Sequence, residues 1–223
     1  MLPLPRLLRS ALVAGLLAPA PVLAETSAVS LPAPAKRGPV SVETALAARR
    51  SVRAFSKQPL TVAEVGQLLW AAQGITGPDG KRTAPSARHL YPLEVAVVVQ
   101  SVEGLARGAY RYVPARHALE LLAPAKDGEA ILARATTQAQ VHAAPVVFVI
   151  AAVYERMDAG ERSRTWTDFE AGLASENLLL EAVALRLGAV VVGGMDPAAA
   201  KEAVRFGGRE QVIVLIPAGH PAG

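Results

Sequence analysis

Between about Thr167 and Leu187 the sequence describes a long helix whose second half is apolar almost all the way round. Leu178, Leu179, Ala182 and Leu185 carry that half, and Glu181 is one of its few charges. A helix with one polar side can lie on a surface, whereas one that is apolar on every side has to be enclosed. The rest of the chain must therefore wrap it in layers of its own. Asn177 inside this segment calls for a hydrogen-bond partner, and Gly188 is placed to end the helix.

The layers are readable from periodicity. Glu94 to Gln100 is dominated by valine and reads as a buried strand, and Val146 to Val153 is a second strongly apolar one. Gly108 to Val113 alternates, with Ala118 to Leu122 as its antiparallel partner across Pro114 to His117. Ala189 to Val192 and Val212 to Ile216 are further strands. Ser41 can cap a helix running to Arg50. Thr61 and Glu64 form a capping box for a second helix with Val65, Leu68, Leu69 and Ala72 on its apolar face and Gly74 at its end. Trp70 on that helix either packs in the core, the default for an aromatic there, or faces a ligand. Asp127 to Gln138 is expected to be helical, Arg156 to Arg164 charged and irregular, and Asp196 with Pro197 starts a helix to about Phe206. Helices and antiparallel hairpins interleave without regular strand–helix alternation, so the expected class is α+β, an antiparallel-rich sheet flanked by helices.

Residues 1–24 read as a signal peptide. Arg6 and Arg9 precede the apolar run Ala11 to Leu17, and Val22-Leu23-Ala24 is a small-residue cleavage site. The run falls short of the about 20 residues a membrane span needs. Export to the periplasm is the expectation, with no membrane span in the mature chain. Residues 25–39 are rich in Ala, Pro and Ser and read as a tether, leaving 40–223 as one domain.

Composition removes several chemistries. There is no cysteine, hence no disulfide, thiolate catalysis, iron–sulfur cluster or cysteine metal site. His89, His117, His142 and His220 lack ligand spacing, so no metal is expected. The formal charge of +4 is modest, and no aromatic-interleaved basic run points to nucleic acid. Dinucleotide and phosphate-loop fingerprints and a serine elbow are missing.

Three segments carry a candidate site. Arg49, Arg50 and Arg53 crowd Ser51 at a helix end, which is either a solvated basic cluster or an anion seat. In an extended segment Ser51 and Arg53 face the same side. Pro85, Ser86 and Ala87 lie in a long polar loop, a length that is usually functional in a compact domain. Gly193 and Gly194 fall in a strand-to-helix turn, where amides can point at a ligand or glycine can serve the turn alone.

Taken in order, Ala48 to Phe55, Leu68 to Thr76, Pro85-Ser86-Ala87, Leu90 to Glu94, Gly172, Asn177-Leu178, Leu187-Gly188 and Gly193 resemble the FMN-dependent nitroreductase family. Within it they are most similar to the SagB-type branch of azoline dehydrogenases. The resemblance implies a nitroreductase-like fold, a homodimer with FMN at the interface, and ping-pong redox on a small organic substrate, nitroaromatic or quinone-like. It places the FMN phosphate on Arg49, Ser51 and Arg53, with Arg50 adjacent. It sets Pro85, Ser86 and Ala87 against the flavin from the other subunit, and the Gly194 amide, with Gly193 beside it, near the flavin N5. No catalytic acid or base is implied, because the flavin carries the chemistry.

The sequence departs from the family pattern in places. Arg88 follows Pro85-Ser86-Ala87 where the family usually has glycine. Asp158 and Ala159 stand where azoline-oxidising members have a Lys-Tyr pair, and Leu173 replaces a family histidine. Many members bring a further arginine from a C-terminal tail, whereas here the sequence ends at Gly223, so the anionic load is expected on Arg49, Arg50 and Arg53. NAD(P)H is the family donor, but nicotinamides are cytoplasmic, so an exported member needs another donor or runs as an oxidase or dehydrogenase. The alternatives are a SagB-type dehydrogenase of modified peptides and a non-catalytic flavin-binding protein.

Overall fold

The computed structural model describes residues 28–126, 128 and 130–223; the expected signal peptide lies outside the described residues. The chain begins with β1 (Ala28–Ser30), α1 (Val42–Ala48), β2 (Leu60–Thr61) and α2 (Val62–Gln73). It continues through β3 (Leu93–Val99), β4 (Val102–Glu103), β5 (Gly108–Val113) and β6 (Ala118–Pro124). The second half holds α3 (Ala139–Ala143), β7 (Val146–Ala152), α4 (Ser163–Ala184), β8 (Gly188–Ala189), α5 (Pro197–Ala203) and β9 (Gln211–Gly219). The main sheet has the order β1-β6-β5-β3-β7-β9-β8, and every adjacent pair in it is antiparallel. A parallel pair, β2-β4, stands apart.

The valine runs are central because both faces of the sheet are covered. Val95, Val97 and Val99 of β3 join Phe148 and Ile150 of β7 under α2 and α4, whose Leu68, Leu69, Leu178 and Leu179 complete that layer. Ala96, Val98, Val147 and Val149 face the opposite way, against Leu132, Val141, Ala200 and Phe206. The architecture is the α+β arrangement that the order of elements implies, and it agrees with the fold expected from the nitroreductase resemblance.

The capping predictions at Ser41, Thr61–Glu64 and Asp196 are met in geometry. Gly74 does follow α2, but at φ −68 rather than in a left-handed cap. It is needed for space instead: a Cβ there would sit 2.1 Å from Trp70 Cδ1. Asn177 finds the partner it requires, donating from Nδ2 to Thr83 O at 3.3 Å.

Other expectations are corrected. Residues 131–135 form turns and the helix begins only at Ala139, so the described residues 130–138 do not form the helix expected over Asp127 to Gln138. Its groups serve tertiary contacts: Ala135 O accepts from Asp196 N, and the Thr136 hydroxyl donates to Gly194 O and accepts from Gln138 N. The long helix runs from Ser163 to Ala184 rather than Thr167 to Leu187. It closes through Leu187 N to Ala182 O with Arg186 at φ 59, and Gly188 belongs to β8. α1 stops at Ala48 and α5 at Ala203, both earlier than expected. Residues 28–35 are not a tether. Backbone ladder bonds tie β1 to β6, Leu31 is buried, and Ala35 exchanges hydrogen bonds with the Gln67 side chain.

Candidate functional site

The site residues are set by the edge strand that follows α4. Ala189 pairs with Ala218 and Val192 with Leu215, one continuous antiparallel register along β9. Residues 189–192 are therefore extended as expected, although only the first of them lies in regular β8. Ser51 bridges Ala189 in parallel, and Val52 N donates to Ala189 O at 3.1 Å. Val52 turns inward onto Gly188, whose missing Cβ would lie 2.4 Å from Val52 Cγ1. Alternation then turns Ser51 and Arg53 outward together, and both are exposed.

The basic cluster is lightly held. Arg49 Nε sits 3.4 Å from Glu176 Oε1 of α4. Arg50 donates to the carbonyls of Ala47 and Arg49, and Arg53 to that of Ser51. Among the described residues no carboxylate pairs with Arg50 or Arg53. The Ser51 hydroxyl likewise has no partner among them.

Gly193 and Gly194 close the other end of the strand. Gly194 O accepts from Gln138 Nε2 at 2.9 Å and from Thr136 Oγ1 at 3.1 Å. A Cβ on Gly194 would meet Gln138 Nε2 at 2.8 Å, whereas one on Gly193 would meet open space. Neither glycine N–H finds an acceptor among the described residues. Val191, on the same side of the strand as Gly193, is 41% exposed although Val190 and Val192 are buried. It lies on the strand between Ala189, where Ser51 docks, and the glycine pair, and it belongs with the candidate site although sequence reasoning passed over it. Its signal was the strand alternation.

Pro85, Ser86 and Ala87 dock separately. Ala87 N donates to Glu170 Oε1 at 2.7 Å, and Tyr91 N donates to Ser86 Oγ at 2.9 Å. Glu170 is only 5% exposed, so its carboxylate is a fixed anchor for the loop. It too escaped the sequence reading, because in the polar first half of this helix, beside Asp168, nothing in the sequence sets it apart. Arg88, His89 and Tyr91 stand at φ 53, 58 and 45, left-handed conformations that cost on the order of 1–3 kcal/mol each for residues with a Cβ. Beside this loop lies an open groove of about 440 Å³ with Trp166, Phe169 and Leu173 as its apolar wall.

The helix α4 touches two of the segments, Arg49 at Glu176 and Ala87 at Glu170. The structure thus brings Arg49, Arg50, Ser51 and Arg53 onto one strand edge with Gly193 and Gly194. Among the described residues, no hydrogen bond or ion pair joins Pro85, Ser86 or Ala87 to either group.

The sequence profile of the nitroreductase family matches residues 46–220, which contain every one of these segments. This chain belongs to the nitroreductase family. MJ1384 of Methanocaldococcus jannaschii, which carries the nitroreductase name, is 36% identical over 182 residues, 81% of this chain and 91% of the relative. A crystal structure from Ralstonia eutropha, also named for the nitroreductases, is 30% identical with a TM-score of 0.75, covering 93% of this chain and 96% of its own. A Desulfovibrio desulfuricans nitroreductase homologue crystallised in complex with FMN is 23% identical with a TM-score of 0.60, covering 82% of this chain and 88% of its own. That last likeness is one of fold. As a nitroreductase-family member the protein is an oxidoreductase.

Proposed function

We propose that the protein is an exported, homodimeric FMN-dependent oxidoreductase. It accepts electrons from one substrate and delivers them to a small organic acceptor of nitroaromatic or quinone type. The observation that carries this is the strand edge itself, with carboxylate-free Arg50 and Arg53 and an unpartnered Ser51 hydroxyl at one end. Unpaired Gly193 and Gly194 amides stand at the other. These donors fit a phosphate and the edge of a flat heteroaromatic ring. FMN bound there would supply the hydride and electron transfer.

The chain's own residues would bind and orient it. Arg49 and Arg53 would hold the phosphate in charge-assisted hydrogen bonds, with the Ser51 hydroxyl between them and Arg50 adding charge. The Gly194 N–H, with Gly193 beside it, would donate to the ring near N5, the position that takes up the hydride. Val191 would lie under the cofactor and exclude water. Pro85, Ser86 and Ala87, rigidly held by Glu170, would close on the ring from the partner subunit. Phe169, 70% exposed, with Trp166 and Leu173 at helical spacing, supports that dimer: such an apolar stripe on the outside of α4 is the kind of surface that associates.

Signal-peptide cleavage between Ala24 and Glu25 would leave β1 whole in the mature chain, which is consistent with export. An enzyme outside the cytoplasm has no nicotinamide pool, so the proposed donor is a different reductant. Nearness to the SagB-type branch remains part of the proposal, but Asp158, Ala159 and Leu173 favour a small acceptor over an azoline peptide. The test is the absorption spectrum of the purified mature protein, then anaerobic titration. The proposal expects a yellow protein bleached by dithionite but not by NADH or NADPH. A colourless protein that FMN cannot reconstitute contradicts it.

A further inference from the structure

The segment between β1 and α1 builds a cavity of its own. Residues 32–40 precede the family match, which begins at residue 46. Gln67 of α2 pins this strap by exchanging two hydrogen bonds with the Ala35 backbone, at 2.9 and 3.0 Å. His117 Nε2 holds Pro32 O at 3.0 Å. Together with α2 and the end of α4 the strap encloses a cavity of about 420 Å³, within the usual size of a small-molecule site. More than half of the lining residues belong to the strap, and none belongs to the edge strand or to the Pro85–Ala87 loop. The cavity is therefore separate from the candidate flavin site.

Its charges balance without pairing. The strap contributes Lys36 and Arg37, and the helices contribute Glu64 and Glu181. Among the described residues no ion pair joins either cation to either acid. Glu64 is occupied as a helix cap, accepting from Thr61 N and Oγ1 at 2.7 and 2.8 Å, and His220 Nε2 stands 3.8 Å from it. Glu181 accepts from the neutral Gln67 amide at 3.0 Å. Burial pushes its carboxyl up, partly opposed by that hydrogen bond. A half-buried carboxylate without a cation is costly, and a positive group on a ligand would relieve it. The Trp70 indole also lines the cavity, and its Nε1 is buried with no hydrogen-bond partner among the described residues. A buried indole N–H ordinarily has one.

We propose that this cavity binds a small zwitterion with an apolar body, a free amino acid being the simplest, with its ammonium on Glu181 and its carboxylate on Lys36 and Arg37. The body lies against Trp70, Ala184 and Leu185, which share the same wall. A ligand with one charge only would satisfy two of the four charged side chains and be repelled by the others. The proposal does not rest on the flavin reading.

The test is calorimetric titration of the purified mature protein at neutral pH with three probes of similar shape. These are L-phenylalanine, phenethylamine, which lacks the carboxylate, and 3-phenylpropionate, which lacks the ammonium. L-Phenylalanine should bind saturably, and each of the other two about 10-fold or more weaker. Glu181→Gln should weaken L-phenylalanine about 10-fold without weakening 3-phenylpropionate. Lys36→Ala/Arg37→Ala should weaken L-phenylalanine by a similar factor without weakening phenethylamine. Both strap cations are exposed, so their removal leaves the core intact, and a merely structural disturbance would not sort the probes by charge. Absence of binding by wild type up to about 10 mM L-phenylalanine, or equal affinity for all three probes, overturns the proposal. So do losses in the variants that fall on every probe alike, or variants that bind L-phenylalanine as wild type does.

Discussion

Val52 and Gly188 meet so closely that a single methyl group decides where the candidate phosphate seat lies. With a Cβ on Gly188 only 2.4 Å from Val52 Cγ1, Gly188→Ala must push the Ser51–Arg53 segment off the edge strand. Overpacking of this kind costs about 1–3 kcal/mol. The variant is expected to show that loss in urea unfolding together with weaker FMN binding. Unchanged stability would mean the segment can shift freely and does not depend on this contact. The same residue-scale reasoning separates the roles of the two ends of the edge strand. Arg50 and Arg53 are available because no described carboxylate answers them, while the Gly194 carbonyl is fixed by Gln138 and Thr136 and leaves its amide free.

At the scale of elements, the segment 28–35 is an integral edge of the sheet. Its docking runs through His117, whose Nε2–H donates to Pro32 O and whose Nδ1 accepts from Tyr112 OH. One neutral tautomer satisfies both bonds. Burial holds the imidazole below its ordinary value, partly opposed by the Pro32 hydrogen bond. The folded state therefore binds fewer protons than the unfolded one as pH falls through the usual histidine range. This contribution is full above that range and is lost as pH drops from about 6.5 toward the lowered value. Protection of the β1 amides against hydrogen exchange is expected to fall between neutral and mildly acidic pH, and His117→Gln should remove most of that pH dependence. A β1 whose protection is pH-independent in the wild type would count against this role.

Elements with their own local chemistry were legible in the sequence. The capping box at Thr61, the valine runs of β3 and β7, the hairpin at Pro114 to His117 and the Asp196 cap all depend on neighbours close in the chain. Where partners are distant, reading failed. Residues 131–135 have ordinary helical composition, yet Ala135 O is taken by the distant Asp196 N, and the Thr136 and Gln138 side chains that follow turn to Gly194 O. β1 is too short and too proline-flanked to register as a strand until β6 is beside it. Gly188 reads as a helix stop because its true constraint, Val52, lies far away in sequence. Within the site, the arginine cluster and the glycine pair stood out by residue type, whereas Val191 and Glu170 acquire meaning only from exposure and burial.

At the scale of the whole molecule, the edge strand opens on one side of α4 and the Pro85–Ala87 loop docks elsewhere on the same helix. A second copy is the element that would bring them onto one ligand. The exposed stripe of Trp166, Phe169 and Leu173 is where the copies should meet. Phe169→Asp is expected to convert a dimer to a monomer in sedimentation velocity and to release flavin at the same time. A monomeric wild type that still holds FMN would break the link between assembly and cofactor.

The central claim is that Arg49 to Arg53 hold the phosphate of FMN, and it is tested most directly by comparing FMN with riboflavin, which lacks that phosphate. Titration of the apoprotein, followed by flavin fluorescence, should give the wild type a much tighter Kd for FMN. Two charge-assisted contacts at about 1.5–3 kcal/mol each correspond to at least about 100-fold. In the Arg49→Ala/Arg53→Ala double variant the two flavins should bind alike, with riboflavin affinity unchanged from wild type. Equal affinity for both flavins in the wild type, or an undiminished preference for FMN in the double variant, would contradict the assignment.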